Sequence, residues 1–183
     1  MKIDLINQKR TIHTERFTIT SLDADDWPLF FDLQNNSELM HFIRPVQPEH
    51  ELRAKFLVNI GPWTGNPDHW HTHKIVCKET GNALGTIGFK VQCANSMRFE
   101  LGYILYADFQ GQGVITEAGQ ALVEFLFNTL NVHKVVAICM AENIGSWKVM
   151  EKLGMEREAH LKQHTLHNDK WSDDLIYGLI NPA

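Results

Sequence analysis

Phe109-Gln110-Gly111-Gln112-Gly113-Val114-Ile115-Thr116 is the stretch that decides the fold. It lies between an apolar, strand-like segment that ends at Leu105 and an amphipathic, helix-like segment over about 114–130. Glycines let the backbone approach a ligand closely, and the first N–H groups of a helix are unpaired and lie at the positive end of its dipole. The stretch therefore predicts a phosphate-binding loop. The simpler interpretation is that the glycines only mark the start of a helix.

Two other phosphate-binding loops fit this stretch poorly. A P-loop places Lys and then Ser or Thr directly after its last glycine, where this chain has Val114 and Ile115. A dinucleotide fingerprint needs a third glycine at the position of Thr116 and an acidic residue about 20 residues later, but Glu142 lies farther along. The loop is therefore expected to bind a pyrophosphate and to hold neither a γ-phosphate nor magnesium.

The periodicity of apolar residues predicts an α/β chain. Strands are predicted at 16–22, 69–78, 83–93, 97–105 and 134–140, with two more within 155–180 around a turn at 167–170; helices are predicted at 25–36, 49–60, 114–130 and 143–153, and a surface loop at 61–68. The three strands between 69 and 105 form an antiparallel meander, whereas the continuous apolar run at 135–139 is typical of parallel pairing. We expect a central mixed, twisted sheet with helices on both faces and one β-α-β unit.

Composition and charge indicate one compact domain over 1–183. The chain has 183 residues, of which 44% are hydrophobic, and a net charge of -5, which argues against binding to nucleic acid through counterion release. No apolar run reaches the roughly 18 residues of a membrane span, and the charged first residues do not resemble a signal peptide. We expect a cytoplasmic protein without membrane or nucleic-acid partners. The isolated residues Cys77, Cys93 and Cys139 predict buried free thiols.

The glycine loop resembles the acetyl-CoA signature of the GNAT acetyltransferase family. That signature is Arg or Gln, two residues, Gly, one residue, and then Gly or Ala. Gln110, Gly113 and Ile115 occupy those places, and Ile115 departs from the family pattern. The resemblance continues in Phe99-Glu100-Leu101-Gly102-Tyr103-Ile104-Leu105 and in 141–155, which is similar to the family's Asn-x-x-Ser helix ending in Lys-Leu-Gly-Phe.

The resemblance covers nearly the whole chain. The opening strand and helix at 15–43 and the closing segments at 161–164 and 174–177 are similar to the RimJ and RimL branch, which acetylates the N-termini of ribosomal proteins. It implies the GNAT fold, with the sheet splayed next to the glycine loop to admit acetyl-CoA as a co-substrate.

The resemblance also implies roles for individual residues. Backbone N–H groups of the loop would cradle the pyrophosphate of CoA, and the strand edge near Leu105 would pair with the pantetheine amides. Asn143 would hold the pantetheine arm, with a plain helix N-cap as its simpler role. Ser146 lies one turn later on the same helix face and would protonate the departing thiolate, with an exposed helix serine as the alternative. The expected cofactor contacts are Leu105, Gln110, Gly111, Gln112, Gly113, Val114, Ile115, Thr116 and Asn143.

The base that removes a proton from the acceptor amine is predicted less directly. Glu100 is the first candidate because members of the family use a glutamate on this strand, and a surface salt bridge is its structural alternative. In the RimL type the base lies later in the chain, at a place that aligns with Thr165 here. His164 and His160 are the alternatives near that place.

His69, His71 and His73 alternate with Trp70 and Thr72, so the three imidazoles share one face of a strand. Three imidazoles can bind zinc. Neighbouring imidazoles on one strand face are about 6.6 Å apart, however, which is too wide for the first and third to close on one ion easily. Acetyl transfer needs no metal either. We expect no metal site, and a polar lining of a substrate groove instead.

The predicted activity is direct transfer of an acetyl group from acetyl-CoA to a primary amine, with strand N–H groups holding the oxyanion and no covalent enzyme intermediate. The expected acceptor is the N-terminal α-amine of a ribosomal protein. One alternative is a small amine such as a polyamine, an aminoglycoside or an amino acid. Another is a non-catalytic acyl-CoA-binding module, which would keep the loop and need no base. A homodimer is a further expectation.

Overall fold

A computed structural model describes residues 3–64 and 66–182 as helices and strands around one mixed sheet of eight strands. The strands are β1 (Thr11–His13), β2 (Phe17–Ser21), β3 (Trp70–Cys77), β4 (Ala83–Cys93), β5 (Arg98–Leu105), β6 (Lys134–Met140), β7 (Glu156–His167) and β8 (Lys170–Ile180). The helices are α1 (Ile3–Ile6), α2 (Trp27–Asn35), α3 (Glu49–Ile60), α4 (Val114–Asn128) and α5 (Ile144–Lys152). The predicted mixed α/β fold is confirmed.

The sheet is split between β5 and β6. Its strand order is β1-β2-β3-β4-β5-β6-β8-β7, and β5 and β6 are parallel whereas the other neighbours are antiparallel. The parallel ladder joins Arg98–Glu100 to Lys134–Val136 only. Beyond Glu100 each strand continues without pairing to the other, to Leu105 in β5 and to Met140 in β6. The splayed sheet and the single β-α-β unit are therefore present.

Helices cover both faces of the sheet. On one face α4 buries Ala118, Leu122 and Leu126 against the apolar side chains of the central strands, and α5 packs beside α4. The other face carries Glu100, the residue expected to meet the acceptor amine, and we call it the acceptor face. There Thr72 of β3 donates a hydrogen bond to Asn59 of α3 at 2.6 Å. Alternation along the strands places neighbouring side chains on opposite faces. The acceptor face therefore receives the row Trp70, Lys90, Glu100 and Val136, whose members are register partners on β3, β4, β5 and β6.

The predicted element boundaries differ from the observed ones mainly at short elements. The strand at 83–93, the strand at 134–140 and the helix at 49–60 coincide with β4, β6 and α3. The first long helix begins later than predicted, because Asp23 caps a separate 3-10 turn at Ala24–Asp26. The short elements α1 and β1 were not predicted, because three or four residues are too few to show a period.

Two further features concern the loop at 61–68 and the length of the helices. The predicted surface loop at 61–68 includes residue 65, which lies outside the described residues, and it buries Trp63. None of the helices within 3–64 and 66–182 is both long and apolar enough to span a membrane.

Candidate functional site

The glycine loop presents free backbone N–H groups at the start of α4. Gly111 and Gly113 have φ angles of +74° and +75°, in the left-handed region that favours glycine. Gly113 is the N-cap of α4, and no side chain caps the helix there. The first N–H groups of α4 are therefore available to a ligand at the positive end of a helix of 15 residues. This geometry suits a pyrophosphate.

The side chains of the loop stabilise it rather than face a ligand. Gln110 Nε2 donates to the Leu105 carbonyl at 3.2 Å, and Gln112 Nε2 donates to the Asp108 carbonyl at 2.7 Å. Val114 and Ile115 are both buried in the core. The bulky side chain of Ile115 is therefore compatible with the loop, because it points from the first turn of α4 into the core.

Arg16 fastens the loop from a distant part of the chain. Its Nη1 donates to the Gln112 carbonyl at 3.1 Å, and its Nε pairs with Glu117 Oε2 at 2.6 Å. Glu117 also accepts from the Arg16 N–H and from Thr14 Oγ1. Burial raises the pKa of Glu117, but these hydrogen bonds and the Arg16 charge outweigh burial and lower it overall. Sequence reasoning missed Arg16, since nothing in its local pattern connects it to a loop almost 100 residues later.

The N-terminus of α5 closes the other side of the split. Asn143 Oδ1 accepts from the Ser146 N–H at 3.2 Å, so Asn143 is the N-cap of α5. Tyr103 of β5 reaches across the split, and its hydroxyl oxygen lies 3.0 Å from the Ser146 carbonyl oxygen and 3.1 Å from Ser146 Oγ. Burial raises the pKa of Tyr103, so its hydroxyl stays protonated and can donate. Tyr103 is a second residue that sequence reasoning missed.

Cys139 lies beside Ser146 at the end of β6. Burial raises the pKa of its thiol to about 11; a hydrogen bond with Ser146 opposes that shift, and the charge of Asp174 adds to it. The thiol therefore stays protonated at neutral pH and is a poor nucleophile. This state agrees with direct transfer rather than a route through an acetylated cysteine.

Glu100 lies at the bottom of the split, on the acceptor face. Lys90, its register partner on β4, places Nζ 3.2 Å from Glu100 Oε2, and the Glu100 side chain is largely buried. The Lys90 ammonium also lies over the Trp70 ring. Tyr103 points to the opposite face of β5, as the alternation requires. Glu100 and the Tyr103–Ser146 pair thus lie on opposite faces of the sheet at the split.

The two histidine candidates of β7 lie on an irregular part of the hairpin. Residues 162–164 bulge between Leu161 and Thr165, and Gln163 has a φ of +48°. Asp173 holds the bulge by accepting from the Gln163 N–H, and it pairs with His160 Nε2 at 2.6 Å. These hydrogen bonds lower the pKa of Asp173. His164 is exposed, and His160 is engaged with Asp173.

The three histidines of the β3 segment share one face as predicted, but that face is buried. His69 and His71 stack in parallel at 4.9 Å, and His71 stacks on Phe89 at 5.0 Å. His71 and His73 line a cavity of about 240 Å³ on the α4 side of the sheet, so they do not line a groove on the acceptor face. Burial lowers the pKa of His71 to about 3 and that of His73 to about 4. Within the part of the chain that the structure describes, no cluster of His, Cys, Asp or Glu could hold a metal ion.

Comparison with known proteins gives a consistent result. The sequence model of the acetyltransferase (GNAT) domain family matches residues 16–156 of this chain. A Bacillus subtilis (strain 168) protein named uncharacterized N-acetyltransferase YnaD is 28% identical over 92% of this chain and 96% of its own. The Escherichia coli (strain K12) [ribosomal protein uS5]-alanine N-acetyltransferase is 30% identical over 95% of this chain and 92% of its own.

Two solved structures share the fold. A GNAT-family acetyltransferase from Bacillus anthracis superposes with a TM-score of 0.81 at 26% identity, over 95% of this chain and 100% of its own. The spermidine N-acetyltransferase from Vibrio cholerae, in complex with CoA and spermine, has a TM-score of 0.79 at 20% identity, over 91% of this chain and 96% of its own.

Proposed function

The chain belongs to the GNAT family of N-acetyltransferases, and we propose that it transfers an acetyl group from acetyl-CoA to the N-terminal α-amine of a protein. The observation that carries the acceptor class is an exposed apolar rim on two neighbouring segments. Ile43 and Val46 lie on the segment after α2, and Leu166 and Trp171 form a cross-strand pair at the tip of the β7–β8 hairpin. His41 and His167 bring the two segments together, with ring centroids 6.3 Å apart.

An exposed apolar rim favours a peptide over a small polar amine. Contiguous apolar surface on a folded domain commonly marks a site for a protein partner. The N-terminus of a protein is a flexible peptide that can place apolar side chains on such a rim while its amine enters the split. The name of the Escherichia coli relative, a ribosomal-protein alanine N-acetyltransferase, supports the same class of acceptor and a ribosomal protein as its source.

The residues of the glycine loop fit a CoA pyrophosphate. The backbone N–H groups at the start of α4 bind it, and Arg16 holds the loop in that conformation. The unpaired edge of β5 near Leu105 supplies hydrogen-bonding groups for the pantetheine amides. Asn143 fixes the first turn of α5, so that Ser146 faces the split.

Acetyl-CoA supplies the thioester whose carbonyl carbon receives the amine. We propose Glu100 as the first candidate to take the proton of the acceptor amine, and the Lys90 ammonium lies 3.2 Å from its Oε2. As the new C–N bond forms and the C–S bond breaks, Ser146 donates a proton to the leaving sulfur and takes one back from water, and Glu100 releases its proton to water. Tyr103 contacts the Ser146 hydroxyl and orients it. His164 is the alternative proton acceptor from the sequence.

A screen of acceptors by CoA release tests the acceptor class. Peptides that carry the N-termini of ribosomal proteins should be acetylated with a kcat/KM at least about tenfold above that of spermidine, because only a peptide can contact the apolar rim. The control is the same peptide with its α-amine already blocked. Preference for spermidine would contradict the proposal and favour a small-amine enzyme instead.

A change at the rim gives a second test of the same proposal. Replacing Trp171 by Ser should raise the KM for peptides and leave the KM for spermidine unchanged. Equal effects on both acceptors would contradict a peptide-specific rim. The non-catalytic alternative is not retained, because the relatives are named N-acetyltransferases. The one-domain organisation, the cytoplasmic location and the homodimer stay predictions from the sequence.

A further inference from the structure

Within residues 3–64 and 66–182, Asp174 is a buried carboxylate without a cationic partner. Among the described residues the buried acidic side chains are Asp26 and Asp174, with exposed fractions of 9% and 7%. Asp26 is neutralised by Lys74, whose Nζ lies 2.7 Å from its Oδ1. Asp174 instead accepts one hydrogen bond, from Thr165 Oγ1 to Oδ2 at 2.7 Å. Burying a charge is costly unless it is paired, so this carboxylate indicates that a cation binds there.

The position of Asp174 in the sheet connects it to the acetyl-transfer site. Asp174 is the register partner of Met140, the last residue of β6, a few residues before α5 begins. Its negative charge contributes to the raised pKa of Cys139, and Cys139 also interacts with Ser146. Asp174 therefore lies level with the Ser146 end of the split.

The side chain of Asp174 belongs to the acceptor face. Val136 shares that face with Glu100, and alternation along β6 places Ile138 and Met140 on it as well. Asp174 lies beside Met140 on β8, and Ile176 lies beside Ile138. Ile138 is 40% exposed, so this part of the acceptor face is open next to the buried carboxylate.

Glu100 and Asp174 lie at two different levels along the split. Glu100 is level with Val136, and Asp174 is level with Met140, four residues farther along β6. That separation is about 13 Å along the strand. Glu100 already has Lys90 as its cationic partner, whereas Asp174 has none among the residues that the structure describes. The two carboxylates therefore cannot serve the acceptor in the same way.

We propose that Asp174, held in place by Thr165, binds the ammonium form of the acceptor amine on the acceptor face, before that amine moves along the split to Glu100, which takes its proton. This inference rests on the proposed function only in that the acceptor is a primary amine. The ligand is a primary ammonium group, which supplies the cationic partner that Asp174 lacks among the described residues. Thr165 occupies Oδ2 and fixes the plane of the carboxylate, and the ammonium approaches from the side of Ile138. Asp174 thus selects cationic acceptors and determines their affinity.

The test measures acceptor binding without turnover. Titration calorimetry of a ribosomal N-terminal peptide into enzyme saturated with CoA gives a dissociation constant, because CoA carries no acetyl group to transfer. Asp174→Asn keeps the shape of the side chain and can still accept from Thr165. It should raise this constant about tenfold or more, since the ion pair with the ammonium is lost. With acetyl-CoA present, the KM for the peptide should rise in parallel, while kcat and the KM for acetyl-CoA change less than about threefold.

Three controls separate binding from folding. A peptide without its α-amine should bind the parent enzyme as weakly as the amine peptide binds Asp174→Asn, and it should be insensitive to the substitution. Asp26→Asn removes the other buried carboxylate and breaks its pair with Lys74, so it should lower the melting temperature without changing peptide affinity. Thr165→Val keeps the charge of Asp174 and should weaken binding less than Asp174→Asn.

Running spermidine beside the peptide distinguishes the two proposals. If only spermidine binds, the protein N-terminus is the wrong acceptor, and the effect of Asp174→Asn on spermidine affinity still decides the role of Asp174. A folded Asp174→Asn enzyme that binds its amine acceptor with parental affinity overturns the inference. Absence of binding by either amine to the parent enzyme overturns it as well.

Discussion

The proposed cofactor side and the proposed acceptor side of the split are built in contrasting ways. The glycine loop and the start of α4 come from one continuous stretch, 105–116, and they offer mainly backbone N–H groups to a ligand. The acceptor side takes Glu100 from β5, Ile138 from β6, Thr165 from β7 and Asp174 from β8, and it offers side chains. A site made of backbone in a local motif tolerates many side chains. A site made of side chains from four strands depends on each of them.

A nearly isosteric substitution on the acceptor side should therefore cause the largest loss of activity. Glu100→Gln keeps the volume of the side chain and removes the proposed proton acceptor, so kcat should fall by about 10²-fold or more while acetyl-CoA affinity stays parental. Steady-state rates and calorimetry check the two quantities. The limb of the pH-rate profile on which the rate rises with pH should also move toward the ionisation of the amine itself.

Two further variants separate catalysis by Glu100 from its ion pair. Lys90→Met breaks the pair but keeps the carboxylate, and it should cost much less activity than Glu100→Gln. His164→Ala should be close to parental, because His164 is exposed on the bulge of β7. Near-parental activity in Glu100→Gln combined with collapse in His164→Ala would reverse the assignment of the base.

The cofactor side should respond to backbone and charge instead. Gly113→Glu introduces a side chain at a φ of +75° and a negative charge where the pyrophosphate binds. The dissociation constant of acetyl-CoA should rise about tenfold or more. Gly81→Glu is the matched control, because Gly81 has a φ of +73° in a turn with nothing within 4 Å of an added Cβ. Equal acetyl-CoA affinity in the two folded variants would exclude the loop as the pyrophosphate site.

Ser146 lies where the two sides meet, and its substitution should have an intermediate effect. Ser146→Ala removes a group that acts on the leaving thiolate, so kcat should fall about tenfold and more than acetyl-CoA affinity does. Tyr103→Phe should reproduce part of that loss, because Tyr103 orients the Ser146 hydroxyl. Stopped-flow acetyl transfer under single-turnover conditions measures the chemical step. Parallel losses in affinity and rate would make Ser146 a cofactor contact only.

The same contrast explains how much the sequence could predict. The loop, α4 and the buried β6 strand follow from glycine spacing and apolar periodicity within short windows, and each was predicted within about two residues. Arg16, Tyr103 and Asp174 could not be assigned, because their roles depend on strand register and on which edge of the sheet is split. The Asn143 cap was predictable, since it is local to α5. Its contact with pantetheine stays a prediction.

Substitution of the histidines on the α4 side of the sheet should have the smallest effect on acetyl transfer and on ligand binding. It should change the stability of the fold alone. The pKa of His71 is lowered from 6.5 to about 3 by burial, so between these values the unfolded chain binds a proton that the folded chain does not. The free energy of unfolding should therefore fall as the pH drops below about 6.5, by about 1 kcal/mol at pH 5.5 from this group. His71→Phe keeps an aromatic ring beside Phe89 and should remove that part of the pH dependence, as urea unfolding at pH 7.5 and 5.5 would measure.

His164→Ala is the exposed control and should leave the difference in unfolding free energy between the two pH values unchanged. If His71→Phe lowered kcat at neutral pH as much as Ser146→Ala does, the buried face would have to take part in acetyl transfer, and the division between a cofactor side and an acceptor side would be incomplete.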